Sequence, residues 1–183
     1  MNLQNLTWPA GRRNAAGISR ILFCPCEDIL TFPALGDPET ATTYAELIEM
    51  EDLIVCKTGK KFIEIYCTLE TGEVKSKMVG PRDGKGRENS VELSSPGNEA
   101  AFLGFDSYTD NLPGVFVVLE KNGKWRVVGS LNDPAYKDDS DGTSGKAGTD
   151  GRATKLMFKS LQETAPPIYK PVGGVASLLV AAA

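Results

Sequence analysis

The 183-residue chain contains no histidine. That removes the usual general acid and base near neutral pH, the commonest metal ligand and both triad types built on imidazole. Carboxylate, lysine and cysteine chemistry stay open. However, no pair of carboxylates sits in an apolar setting that would tune one of them into an acid, and a cysteine nucleophile has no imidazole base beside it. No catalytic, cofactor-binding or metal-binding residue can be named, and the chain reads as a protein that is not an enzyme and needs no cofactor. Long apolar runs are also missing. The C-terminal 172-VGGVASLLVAAA-183 is apolar and uncharged but too short to span a bilayer, so no membrane insertion is expected. The opening 1-MNLQNLTWPAGRRNAAG-17 has no apolar core of a signal peptide, which favours synthesis and assembly in a reducing cytoplasm with thiols left free. Nor is there an excess of positive charge. Twenty Lys and Arg face 24 Asp and Glu, a formal charge of −4, whereas a nucleic-acid reader would usually carry a basic stripe.

What is present is an ordinary globular balance, 41 % apolar and 24 % charged, in a chain long enough to bury a real core. The pattern divides it into an irregular N-terminal arm over 1–17, one β-rich domain over 18–171 and an apolar tail over 172–183. An exposed apolar tail is a liability, so the tail is expected either to dock on something or to fray.

Alternation and turn chemistry predict the elements. The stretch 18-ISRILFCP-25 reads as a strand ended by Pro25. A linker over 27–38 follows, and 39–52 can be a short helix or an extended arm. A meander runs through 53–57, 62–70 and 73–80. Residues 80–90 read as a polar, mobile loop, with a strand resuming at 91–93. Residues 98–111 are expected to form a helix capped by Asn98, with Glu99 in its first turn and an apolar stripe of Phe102, Leu103, Phe105 and Tyr108. The clearest signal is 114-GVFVVLEKNGKWRVVG-129. Two apolar strands flank Asn122-Gly123, as in a tight type I′ hairpin. Both strands are apolar on both faces, which requires cover on two sides from a helix, a second sheet or a neighbouring chain. Residues 130–152 lack hydrophobic periodicity and read as a long functional or disordered loop. A strand over 153–163 and an extended proline-rich segment over 164–171 close the domain. The sum is a mainly β (α+β) fold, a β-sandwich or barrel of about seven to eight strands with one lateral α-helix, long loops and extended terminal arms.

Four groups of residues invite a chemical reading, and each has a plainer alternative. Cys24, Cys26, Cys56 and Cys67 could in principle form a four-cysteine zinc site, but their spacing matches none of the paired patterns, and buried thiols in strands account for them as well. Asp139, Asp141 and Asp150 occupy positions one, three and twelve of a calcium loop, yet the sixth position is Ser144 rather than Gly and no helices flank it. Gly145-Lys146 evokes a phosphate loop, but Ser140 stands for its first glycine and Ala147 for its hydroxyl residue. That assignment is rejected, and a flexible surface loop, or one that orders only against a partner, is favoured. The basic group Lys75, Lys77, Arg82, Lys85 and Arg87 is interleaved with Glu73, Asp83 and Glu88 and reads as a solvated or inter-subunit face.

The order of pieces from residue 91 onward carries a likeness. A strand leads to the helix 98-NEAAFLGFDSYTDN-111, then the hairpin 115-VFVVLEKNGKWRVVGS-130, then 133-DPAY-136, a Gly/Asp-rich loop ending in 149-TDGRATKLMFKS-160, and 165-APPIY-169. Over roughly residues 60–171 this resembles phage tail tube and related tail-completion proteins. The resemblance implies a β-sandwich or barrel with a lateral helix whose copies assemble into stacked rings, often hexameric. Partners would be further copies of the chain and other tail proteins in the virion, with genomic DNA passing through the lumen unread. In that setting neighbouring copies would cover part of the two-sided strands and pair the sheet edges. An acidic chain would suit a lumen that repels phosphate. The reading from a different class is a monomeric β-sandwich binding module, carbohydrate-binding or adhesin-like. Such a module would usually display exposed aromatics, whereas Trp8 lies in the arm and Trp125 in the hairpin, where it reads as core.

Overall fold

In the computed structural model, which describes residues 3–8, 10–11, 14–147 and 151–181, the chain is mainly β with one α-helix. The strands are β1 (Ile18–Pro25), β2 (Ile29–Thr31), β3 (Glu49–Met50), β4 (Val55–Cys56), β5 (Ile63–Ile65), β6 (Glu73–Val79) and β7 (Gly86–Pro96). After the helix α1 (Ala100–Tyr108) come β8 (Gly114–Glu120), β9 (Trp125–Val128), β10 (Tyr136–Thr143), β11 (Ala153–Gln162) and β12 (Ile168–Tyr169). They form a six-stranded central sheet in the order β3-β12-β9-β8-β1-β5, a four-stranded outer sheet in the order β10-β11-β7-β6, and the small pair β2-β4.

The central sheet is buried on both faces, and the cover comes from the same chain. On one face Ile21, Phe23, Phe116, Val118 and Val128 meet Val91, Leu93, Leu156 and Phe158 of the outer sheet, with Phe102 and Phe105 of α1 packed alongside. Phe116 and Phe158 meet at a tilt with 4.6 Å between ring centres, and Phe23 meets Phe105 edge-on at 5.5 Å. On the other face Leu22, Cys24, Val115, Val117 and Val127 meet Ile29, Ile54, Cys56 and Phe62. There the C-terminal tail also docks. Its 3-10 turn Val175–Leu179 buries Leu178, and the Phe62 amide donates to the Leu178 carbonyl at 2.8 Å. Successive residues of β1 and β8 point to opposite faces, so the runs 21–24 of β1 and 115–119 of β8, apolar at every position, become the middle layer. Neighbouring copies are therefore not needed to cover these strands, contrary to the ring expectation.

The strong patterns fold as read. β1 spans the expected residues, and β8 with β9 forms the hairpin. Its turn differs from type I′. Gly123 alone has positive φ (85°), and the Gly123 amide bonds to the Glu120 carbonyl at 2.9 Å. Asn122 stays at negative φ, and its side-chain oxygen accepts from the Lys124 amide at 2.9 Å. The loop is thus a three-residue turn with glycine in the left-handed position.

Helix α1 is shorter than expected, and Asn98 does not cap it; the residue before it, Glu99, is extended and supplies no side-chain cap. At its other end the Thr109 hydroxyl donates to the Phe105 and Asp106 carbonyls. Residues 39–48 form turns rather than a helix. The Glu46 carboxylate takes up the Thr42 amide and the Thr42 and Thr43 hydroxyls, which ties the segment into local loops. Of the expected strands 53–57 and 62–70, only Val55–Cys56 and Ile63–Ile65 pair. Two expected loops are strands. β7 begins at Gly86, so its first half lies inside the predicted loop 80–90, and β10 occupies residues 136–143 of the predicted loop 130–152. Among the described residues, no helix is long and apolar enough to cross a membrane.

Candidate functional site

The groups singled out for chemistry are separated by the fold. Cys24 and Cys56 lie in the cluster on one face of the central sheet, with Cys26 packed at its border, while Cys67 packs against the cluster on the other face. They cannot converge on one metal ion. Burial pushes the Cys24 and Cys56 thiols up, and partial burial pushes Cys26 to about 11, which favours the neutral thiol at each. The Cys26 thiol is directed at the Ser130 carbonyl at 3.7 Å.

Asp139 and Asp141 are not in a coordinating loop. They stand on the solvent face of β10, opposite Met157 and Lys155 of β11. Asp150 lies outside the described residues. Gly145-Lys146 follows a strand but precedes no helix. Among the described residues, no three His, Cys, Asp or Glu side chains are grouped to hold a metal.

The basic group resolves into an edge. Lys75 and Lys77 lie on β6, which pairs with β7 on one side and has no strand on the other. Lys75 bridges Glu92 at 2.8 Å and Glu73 at 3.1 Å. Lys85 closes its own loop on the Gly80 carbonyl at 2.9 Å, and Arg87 is on β7. β10, which carries Asp138, Asp139 and Asp141, is the opposite edge of the same sheet. Asp138 bridges Lys159 at 2.8 Å. Apart from their ladders with β7 and β11, the backbones of 73–79 and 136–143 make no hydrogen bond among the described residues. Each edge therefore presents a row of unused amides and carbonyls, which is a template for another strand.

Lys137, on the inward face of β10 and its one residue that is not exposed, fixes that edge to the body of the protein. Lys137, with its side chain 8 % exposed, bridges Asp106 at 2.7 Å and also Asp110, while Ser140 donates to Asp106 at 3.0 Å. Burial alone would lower the Lys137 pKa. The hydrogen bonds and charges of Asp106 and Asp110 outweigh it, so the ammonium titrates above its ordinary value. A polar strand is thus held where an apolar one would be expected.

The arm reaches away from this core. Leu3, Leu6 and Trp8 are exposed, and Gln4 ties the arm to residues 42–44 through the Thr42 carbonyl and the Tyr44 amide. Trp125 is partly buried beside the second cluster, with the Arg20 guanidinium 5.8 Å above its ring. An open groove of about 590 Å³ is bounded by Phe32, Leu35, Leu47, Met50, Leu131 and Pro167. The basic group is legible in the sequence; that Lys75 and Lys77 fall on one margin of a sheet whose other margin carries Asp138, Asp139 and Asp141 is not.

No family model matches the chain, and no curated protein or solved structure matches it.

Proposed function

We propose that the chain is a structural subunit of a phage tail, a tail tube protein that assembles into stacked rings and forms a conduit for DNA. The observation that carries this reading is the pair of long, unpaired edges on the outer sheet, which can take up a further strand on each side. Two edges on one sheet suit a subunit that contacts a neighbour on each flank. The exposed Leu3, Leu6 and Trp8 of the arm are a second apolar element suited to a contact between copies. Other tail proteins would cap or anchor the stack, and DNA would pass without specific contacts, consistent with a net charge of −4. The work of such a subunit is assembly inside a host cell and service in the virion.

The alternative, a monomeric β-sandwich binding module, is favoured by one observation. Both faces of the central sheet are covered within a single copy, so the fold is self-sufficient, and the open groove beside Phe32 and Leu131 has room for a small ligand. Electron microscopy of the concentrated protein separates the two. The tail reading expects rings or tubes; particles of single-subunit mass under all concentrations, confirmed by light scattering, would reject it.

A further inference from the structure

The groove of about 590 Å³ has three kinds of wall. Phe32, Leu35, Leu47 and Leu131 make its sides apolar, with the buried Met50 and Pro167 among them. Gln162 presents an amide, and Asp133 and Glu163 present carboxylates. We propose that this groove binds a ligand with an apolar body, a primary ammonium and a carbonyl beside it. That is the chemistry of an apolar amino-acid amide and of the free first residue of a peptide. The groove is complete within one copy, so the inference rests on the ligand-binding reading above and stands whether or not copies assemble.

Three observations select this chemistry. The first is a fixed donor. Gln162 Oε1 accepts from Asn89 Nδ2 at 2.8 Å and from the Gly129 backbone amide at 3.3 Å. Asn89 is itself buried, and its Nδ2 also donates to the Thr164 carbonyl at 2.8 Å. These bonds set which way the Gln162 carboxamide faces. Its Nε2 makes no hydrogen bond among the described residues, so a half-buried amide donor is left for an acceptor on a ligand. A carbonyl oxygen is such an acceptor.

The second is charge. Asp133 and Glu163 are the charged residues that line the groove; no Lys or Arg lines it, and neither carboxylate makes an ion pair among the described residues. Arg87 borders an adjoining depression that also reaches Asp133 and Glu163, without bridging either. Two uncompensated carboxylates favour a cation and oppose an anionic ligand. An α-amino group is mostly protonated at pH 7 and offers charge-assisted hydrogen bonds.

The third is preorganisation. The Ser130 amide donates to the Asp133 carbonyl at 3.0 Å, the Asp133 amide to the Ser130 hydroxyl at 2.9 Å, and the Ser160 hydroxyl to the Asp133 carbonyl at 2.7 Å. The Val127 amide holds the Pro167 carbonyl at 3.0 Å. In the segment 32–38, Gly36 lies so close to residue 46 that a Cβ would come within 2.5 Å of the Glu46 carbonyl oxygen, which packs this wall onto the turns of 39–48. Walls fixed in advance leave little ordering entropy to lose on binding.

The test is saturation-transfer NMR, which reads weak ligands on single copies and assemblies alike, with L-leucinamide as the probe. Wild type is expected to bind it saturably, with transfer greatest at the leucine methyl groups. N-acetyl-L-leucinamide lacks the charge, isopentylamine the carbonyl and glycinamide the apolar body; each should bind at least fivefold more weakly. Asp133→Asn with Glu163→Gln should lower leucinamide affinity at least fivefold and abolish its preference over the acetylated probe. Leu131→Ser should weaken both probes. All three positions are exposed, and thermal melts check that the variants fold. Leucyl-glycyl-glycinamide distinguishes the sources: tighter binding than leucinamide assigns the groove to the start of a peptide, and equal binding to free amino-acid amides. Absence of saturable binding by every probe overturns the proposal together with the ligand-binding reading. Equal binding of leucinamide and its acetylated form, lost in Leu131→Ser, overturns this chemistry while leaving the groove a ligand site. Unchanged leucinamide binding to the folded double variant overturns it as well.

Discussion

The central and outer sheets solve the same problem in opposite ways. In the central sheet, the apolar runs 21–24 of β1 and 115–118 of β8 are buried on both faces, and the margins are short. In the outer sheet one face is buried, the other is laced with Lys155, Lys159, Glu92 and Glu73, and the margins are long and open. The difference separates two roles. One sheet holds the monomer together, and the other is left unfinished at its edges. A strand apolar on both faces is evidence for a middle layer, not for a missing partner. Here the evidence for a partner lies in polar strands with unused backbone groups.

Substitutions should reveal that division through folding stability. Phe116 is fully buried between Phe23 and Phe158, so Phe116→Ala is expected to cost about 3–5 kcal/mol in denaturant unfolding. By contrast Leu161→Ala, on the open face of the outer sheet and 65 % exposed, should stay within about 0.5 kcal/mol. Equal costs at the two sites would erase the distinction between the sheets.

The next effect lies where the outer sheet is tied to the helix. Lys137→Met leaves Asp106 and Asp110 without their cation and should cost about 1–3 kcal/mol. Because the Lys137 pKa is raised in the folded state, its contribution is fully present below the unfolded value of 10.5 and is lost as pH rises through the higher folded value. Wild type should therefore lose an increment of stability at alkaline pH that the Met variant lacks, as pH-dependent melts can show.

A smaller effect than at Lys137 belongs to the exposed end of the central sheet. Arg20 forms a bidentate pair with Glu64 at 2.6 and 2.7 Å, both side chains well exposed. The Arg20 hydrogen bond lowers the Glu64 pKa, so this contribution is present above pH 4.5 and fades as pH falls through the lower folded value. Arg20→Ala should cost below about 1 kcal/mol near neutral pH and less at high salt. A larger loss in urea unfolding would mean that the pair, with Trp125 beneath it, is a structural clamp.

These contrasts also explain what could be read from residues alone. Ile18–Pro25 and the hairpin from Gly114 to Val128 were legible because long alternation and an Asn-Gly turn leave few alternatives. The mainly β fold with one helix followed from such segments. β10 was not legible. Its inward positions carry Lys137, Ser140 and Gly142 in place of apolar side chains, and it is held by pairing with β11 and by ion pairs to α1, neither of which is local in sequence. The first half of β7 was hidden for a related reason. Asn89 is buried because its amide donates to Gln162 and to the Thr164 carbonyl, both at 2.8 Å, so a residue that reads as loop serves as core. The candidate surface was half legible. The basic group Lys75 to Arg87 reads as a solvated or inter-subunit face, while Asp139 and Asp141 read as part of a long surface loop. Their placement on opposite margins depends on two intervening strands and could not be inferred from spacing.

Amide hydrogen exchange at rising protein concentration tests the division of labour between the sheets most directly. Protection of amides in 73–79 and 136–143 should increase with concentration while that of 114–128 stays constant, since only the outer margins gain a neighbour. Exchange at those margins that is indifferent to concentration, in a sample spanning the range where particles are sought, would contradict it.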